Sequence, residues 1–178
     1  MARVRIQESD FDVGAELAVL QGTRTDVGAV ASFVGHVRGR IHEQARADDV
    51  CALALEHYPG MTERAIEAMI VEAQARFGVL GALVIHRVGR LLPGERIVLV
   101  AVTAAHRREA FQACEFLMDY LKTHAPFWKK ETTPQGEHWV DARVADDAAL
   151  ARWGLASANA AEVPADARLA SDAAADAP

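Results

Sequence analysis

Apolar residues along positions 1–153 recur in two rhythms, every second residue and every third or fourth, and their alternation outlines the elements. Residues 3–7 put Val4 and Ile6 on one side, as a short strand does. Asp10 precedes an apolar stretch over 11–20, where it predicts a helix N-cap, and Gly22 predicts the stop. Residues 27–37 are small and β-branched, which predicts a largely buried strand. Positions 39–49 are polar and charged and predict an exposed, mobile loop. In 51–58, Cys51, Leu53 and Leu55 alternate with Ala52, Ala54 and Glu56. Pro59-Gly60 then turns the chain into a helix over Met61–Phe77, whose stripe Ala65, Met69, Ala73, flanked by Ile66 and Ile70, repeats at spacing four. Gly78 supplies its C-cap.

Two Val/Ile/Leu-rich strands follow over 80–88 and 96–103, joined as a hairpin through Leu92-Pro93-Gly94-Glu95. A helix over Arg107–Thr123 carries the stripe Ala110, Cys114, Leu117, Leu121, supported by Phe111 and Met118, and Pro126 prevents its continuation. Phe127–Thr133 and 138–142 read as strands around a Thr133-Pro134-Gln135-Gly136 turn, and a short helix over 146–153 closes the pattern. Hairpins with interspersed helices predict an α+β fold with a mainly antiparallel sheet rather than a doubly wound parallel one.

Composition sharpens this picture at the C-terminus. Residues 154–178 hold 11 Ala, no aromatic residue, and four acids against one Arg. That is too little bulky apolar surface to offset ordering entropy, so a disordered or weakly helical tail is expected beyond a single domain over 1–153. The whole chain has 178 residues and 19 Lys+Arg against 25 Asp+Glu, a net charge of −6. An acidic balance argues against general nucleic-acid or anionic-membrane binding. Cys51 and Cys114 have no CxxC spacing, which points to a reducing cytoplasm instead of a disulfide scaffold. The first residues contain no apolar signal-peptide core, and no apolar run approaches the roughly 20 residues that cross a bilayer.

Motifs for nucleotides, serine nucleophiles and metals are absent: there is no GxGxxG, Walker A, GxSxG or HExxH, and no His/Cys ligand spacing, so no metal site is expected. What stands out is a set of cations at element boundaries. His36, Arg38 and Arg40 follow a strand, His106, Arg107 and Arg108 open a helix, Lys122 ends it, and Lys129 and Lys130 sit beside Phe127 and Trp128. Two arginines at a helix N-terminus oppose its dipole unless an anion compensates, so a phosphate or carboxylate site is one reading and solvated side chains the other. Lys122 suits the dipole at a helix C-terminus without any further role. Lys129 is either a surface lysine lying on a ring or an amine poised as nucleophile or base.

Four blocks carry a resemblance. Leu55-Glu56-His57-Tyr58-Pro59-Gly60-Met61-Thr62-Glu63, Ile85-His86-Arg87-Val88-Gly89, Thr103-Ala104-Ala105-His106-Arg107, and the run Met118-Asp119-Tyr120-Leu121-Lys122-Thr123-His124-Ala125-Pro126-Phe127-Trp128-Lys129-Lys130-Glu131 resemble the catalytic, large subunit of molybdopterin synthase. The resemblance spans about residues 3–153. It implies an α/β hammerhead-like fold, a central homodimer, and one small ubiquitin-like sulfur-carrier subunit bound per catalytic subunit in a heterotetramer. The carrier's Gly-Gly terminus, as a thiocarboxylate, delivers two sulfurs in turn to cyclic pyranopterin monophosphate to form the molybdopterin dithiolene, with no metal or cofactor. It further implies that His36, Val37 and Arg38 form the substrate-contacting strand end and that His106 and Arg107 bind substrate. Lys122 and Lys129 become the catalytic lysines, and Lys130 and Glu131, which follow them, join the substrate-binding residues. His36 stands where that family often has a lysine.

Overall fold

The computed structural model describes residues 3–39, 49–123, 125–140 and 152–154. Within these residues eight strands and three helices follow one another as β1 (Val4–Gln7), α1 (Val13–Gln21), β2 (Ala29–His36), β3 (Ala52–His57), α2 (Met61–Phe77), β4 (Gly81–Arg87), β5 (Gly89–Leu91), β6 (Arg96–Ala104), α3 (Arg107–Thr123), β7 (Phe127–Thr133) and β8 (Gly136–Val140). They form two four-stranded sheets, ordered β1-β4-β6-β2 and β5-β3-β7-β8. Among the described residues only the β1–β4 pairing is parallel, so the fold is α+β and mostly antiparallel.

β4 and β6 run through the middle of the first sheet and are apolar almost throughout because both of their faces are covered. On one face Val84, Val98, Val100 and Val102 meet Ile66, Met69, Ile70 and Ala73 of α2 and Ala110, Ala113, Phe116 and Leu117 of α3. On the other, Leu83, Ile85, Leu99 and Ala101 meet Phe11 and the α1 residues Val13, Leu17 and Leu20. The second sheet has its own small cluster, Val37, Leu53, Leu55 and Leu91, and Ile97 touches both cores.

α2, α3 and β7 begin and end where the sequence pattern puts them. Four expectations are corrected. The cap of α1 is Asp12, whose Oδ1 accepts from Ala15 N at 2.8 Å. Asp10 is occupied elsewhere, accepting from Phe11 N and pairing with the Arg96 guanidinium. β2 is an edge strand and not largely buried: Val30 and Phe33 are 40% and 41% exposed. Phe111 is 66% exposed, and Ala113 and Phe116 fill the α3 core instead. Between β4 and β6 the chain is no simple hairpin, for β5 detours to pair with β3 in the other sheet. The detour starts at Gly89, whose φ of +78° is one that side-chain-bearing residues avoid.

Trp153 docks edge-to-face on Phe77 and Phe116 at 5.7 and 5.5 Å, and its Nε1 donates to Asp119 Oδ2 at 2.8 Å. The expected loop over 39–49 and the expected tail fall almost wholly outside the described residues. The helix expected over 146–153 does as well, apart from Arg152 and Trp153, which lie in a turn. Among described residues no helix is long and apolar enough to cross a membrane.

Candidate active site

β6 decides which cations can meet. His36 is in register with Arg96 at its start, whereas His106 and Arg107 follow Ala104 at its end. Eight steps of about 3.3 Å put the two groups roughly 26 Å apart along the strand. Arg38 therefore does not converge with His106 and Arg107 inside one chain, contrary to the simplest reading of the sequence. The cause is strand direction: β2 and β6 are antiparallel, so a residue leaving one strand's C-terminal end lies beside the other's N-terminal end.

α3 reverses the chain. It packs back along β6 and β2 and, at about 1.5 Å per residue, returns Lys122 to the end where His36 lies. Leu121 and Ala125 join the core, and Phe127 stacks on His86, which is paired with Val98 near the start of β6. Ala125, Pro126 and Phe127 then lead directly into β7, with Phe127 N donating to Ala125 O at 2.8 Å. Lys129 is paired with Leu55, which shares a cluster with Val37, so Lys129 lies on the face of β7 that meets the arm carrying Arg38; Lys122 precedes Phe127 by five residues at the end of α3.

Each of these side chains has a distinct setting. Val37 is 4% exposed in the Leu53, Leu55, Leu91 cluster; its N donates to Glu95 O at 2.9 Å and its O accepts from Gly94 N at 2.8 Å. It anchors the arm, leaving Arg38 exposed beyond it. His36, beside a register shift at Gly35, lines a shallow depression with Asp10, Pro93, Gly94, Glu95 and Arg96. Lys122 is exposed in the last turn of α3. Lys129 is half-buried, with Nζ 2.6 Å from Glu131 Oε1. Glu131 also lies 3.7 Å from the His138 ring.

Strand alternation separates Lys130 from this pair. It faces the other side of β7, where its Nζ lies 2.7 Å from Glu137 and 5.6 Å above the Trp139 ring. The hydrogen bond to Glu137 raises the Lys130 pKa above that of a free lysine and lowers the Glu137 carboxyl. Lys130 is thereby held as a cation on a face with the exposed Trp128 and Trp139. His106, Arg107 and Arg108 are exposed at the start of α3.

Sequence reasoning assigned no role to three buried polar residues under this site. Thr62 Oγ1 lies 3.2 Å from Pro126 O and 3.1 Å from Tyr58 O. The His86 ring stacks on Phe127 with centroids 3.9 Å apart. Arg87 is buried with its guanidinium on Glu8 O, Arg96 O and Glu95. The available signal was a polar His-Arg pair ending an otherwise apolar strand.

A model of the MoaE protein family matches residues 6–124. The chain is 55% identical over 172 residues to the molybdopterin synthase catalytic subunit of Ralstonia nicotianae, covering 97% of this chain and 96% of that one. Among solved structures, the molybdopterin biosynthesis MoaE protein from Burkholderia ambifaria is similar at a TM-score of 0.73 and 57% identity, spanning 87% of this chain and 99% of its own. A Helicobacter pylori chain in a complex of subunits 1 and 2 of molybdopterin-converting factor shares the fold, at a TM-score of 0.65 and 23% identity over 80% of this chain and 92% of that one.

Proposed function

The chain belongs to the MoaE protein family, and from that premise we propose that it is the catalytic subunit of a molybdopterin synthase, a sulfurtransferase acting in the cytoplasm. Its partner is a small ubiquitin-like carrier ending in a Gly-Gly thiocarboxylate, and its substrate is cyclic pyranopterin monophosphate. The observation that supports the reading is the short Ala125, Pro126, Phe127 link between Lys122 at the end of α3 and Lys129 in β7, with Lys129 paired to Leu55 of the cluster that holds Val37. The complex of two subunits described for the Helicobacter chain supports the carrier partner.

The chemistry asks for cations at two points. The thiocarboxylate sulfur attacks an oxygen-bearing side-chain carbon of the pterin; the new C–S bond forms as that carbon's C–O bond breaks, the oxygen leaving with the opened cyclic phosphate in one transfer and, once protonated, as water in the other. Water then attacks the acyl carbon, the acyl C–S bond breaks, and the carrier leaves as a carboxylate while sulfur stays on the pterin. Lys122 stabilises the oxyanion that develops on the acyl oxygen, the kind of contribution that charge placed before the reaction makes best. Attack by the Lys122 amine on the acyl carbon is the alternative, with the covalent adduct hydrolysed afterwards. Lys129, oriented by Glu131, exchanges protons with the pterin as the cyclic phosphate opens and water departs.

The phosphate is held by Arg38 of one copy and by His106 and Arg107 of a second, with His36 at the rim and charge-assisted hydrogen bonds supplying the grip. This two-copy site accounts for cations placed at opposite ends of β6. The exposed Phe33 and Phe111, on the β2 edge and on α3, offer apolar surface for such a homodimer. Val37, Lys130 and Glu131 support the site without reacting.

Incubation with thiocarboxylated carrier and cyclic pyranopterin monophosphate, followed by assay of the dithiolene, tests the reading. Lys122→Ala and Lys129→Ala should each reduce turnover by about a hundredfold or more. Near wild-type turnover in both would remove the catalytic assignment and leave a binding module.

A further inference from the structure

His86 and Arg87 are consecutive and end β4, so their side chains leave opposite faces of the first sheet. Both are buried. His86 lies on the face of Val84 toward α2 and α3, and Arg87 on the face of Ile85 toward α1. Neither has been given a part in the reaction above. We propose that this dipeptide sets the two halves of the active site separately, with His86 positioning Lys129 through Phe127 and Arg87 positioning Arg38 through Glu95 and Val37. The proposal rests on the roles assigned above to Lys129 and Arg38.

The His86 arm is fixed at each step. Its Nδ1 donates to the Arg87 carbonyl at 2.8 Å, which prevents the ring from turning. That ring lies nearly parallel to Phe127, at 3.9 Å and 19°. Phe127 is the first residue of β7 and is paired with His57 of β3. The preceding Pro126 carbonyl is within reach of the buried Thr62 hydroxyl, so the link from Lys122 is held on both sides. Lys129 is two residues further on and on the same face as Phe127. Displacing the Phe127 ring therefore displaces Lys129.

The Arg87 arm uses the fork geometry that a guanidinium has and an ammonium lacks. Nε donates to Glu8 O at 2.9 Å and one terminal nitrogen donates to Arg96 O at 3.1 Å, which fix the plane. The two terminal nitrogens reach Glu95 Oε1 at 3.3 and 3.4 Å. Glu95 Oε2 accepts from Leu92 N at 2.5 Å, closing the turn over 92–95. The backbone of that turn clasps Val37 through its bonds to Gly94 N and Glu95 O, and Arg38 is the next residue.

The two arms predict different kinetic faults. In the full chain with its thiocarboxylated carrier, His86→Ala should lower kcat about tenfold or more and change KM for the pterin less than about threefold, since small misplacements of a reacting group are costly. His86→Phe, which keeps a ring for the stack, should return kcat to within about threefold of wild type. Arg87→Lys should raise KM for the pterin about tenfold and leave kcat within about threefold. Val84→Ala, a core truncation on the same strand, should lower the melting temperature and leave both constants within about twofold. Equal effects of His86→Ala and Val84→Ala, failure of His86→Phe to recover, or loss of the same constant in both arms would overturn the proposal. The NMR signal of the Lys129 ε-carbon separates this failure from failure of the functional reading. It should move in His86→Ala and stay in Val84→Ala, whatever Lys129→Ala does to turnover.

Discussion

A buried imidazole couples folding to pH. Burial pushes the His86 pKa down from 6.5 to about 4; the bond to the Arg87 carbonyl opposes this, and the nearby His57 ring adds a smaller push downward. The strand partners on either side, Ile6 and Val98, are apolar and supply no anion to hold a proton. Between those two pH values the unfolded chain binds a proton that the folded chain excludes, so stability rises with pH there. This contribution is complete above pH 6.5 and is lost as pH falls toward 4, by about 3 kcal/mol in all. Urea denaturation at stepped pH should show that slope in the wild type. His86→Phe should flatten it, and an unchanged slope would place the titration elsewhere. The sequence marks this residue only as part of a His-Arg pair ending an apolar strand, which reads the same whether the ring is stacked or solvated.

At the scale of elements, individual strand pairings differ in how far apart their partners lie along the chain, within both sheets. β4 and β6 are separated only by the short β5, whereas pairing β3 with β7 joins His57 to Phe127, a distance of 70 residues, from 127 − 57. Loop closure favours the nearer pair forming first. In refolding measurements, Val84→Ala and Val100→Ala should slow folding, whereas Leu53→Ala and Leu55→Ala should mainly speed unfolding. The reverse pattern would put the second sheet in the nucleus. Local chemistry made several elements legible beforehand. α2 is bracketed by Gly60 and by Gly78 in the left-handed region, and Pro126 stops α3. Tertiary partners decided the rest. Asp10 and Asp12 are equally good caps until Arg96 engages one of them. β2 has the composition of a buried strand but lies at an edge, and strand order is not written in composition. β5 has three residues, too few to show a period of two.

On the scale of the molecule, the candidate site was legible as a set of cations but not as an arrangement. Their positions at strand and helix ends were visible; which ends share a location followed only from the antiparallel pairing of β2 with β6. The proposed two-copy site makes a direct forecast. Lys129→Ala and His106→Ala variants should each be inactive alone. Mixed and allowed to exchange, they form dimers in which one of two sites is intact, so activity should recover to about a quarter of wild type. No recovery, with exchange verified by mass, would place the whole site in a single chain.

The opposed ends of β6 also reach beyond geometry into dosage. When a reaction centre needs residues from two copies, mass action governs how many centres exist. Activity per molecule then depends on how much protein is present, falling on dilution as dimers separate and levelling off once association is complete. A chain too scarce to find its own copy would be folded and still inactive.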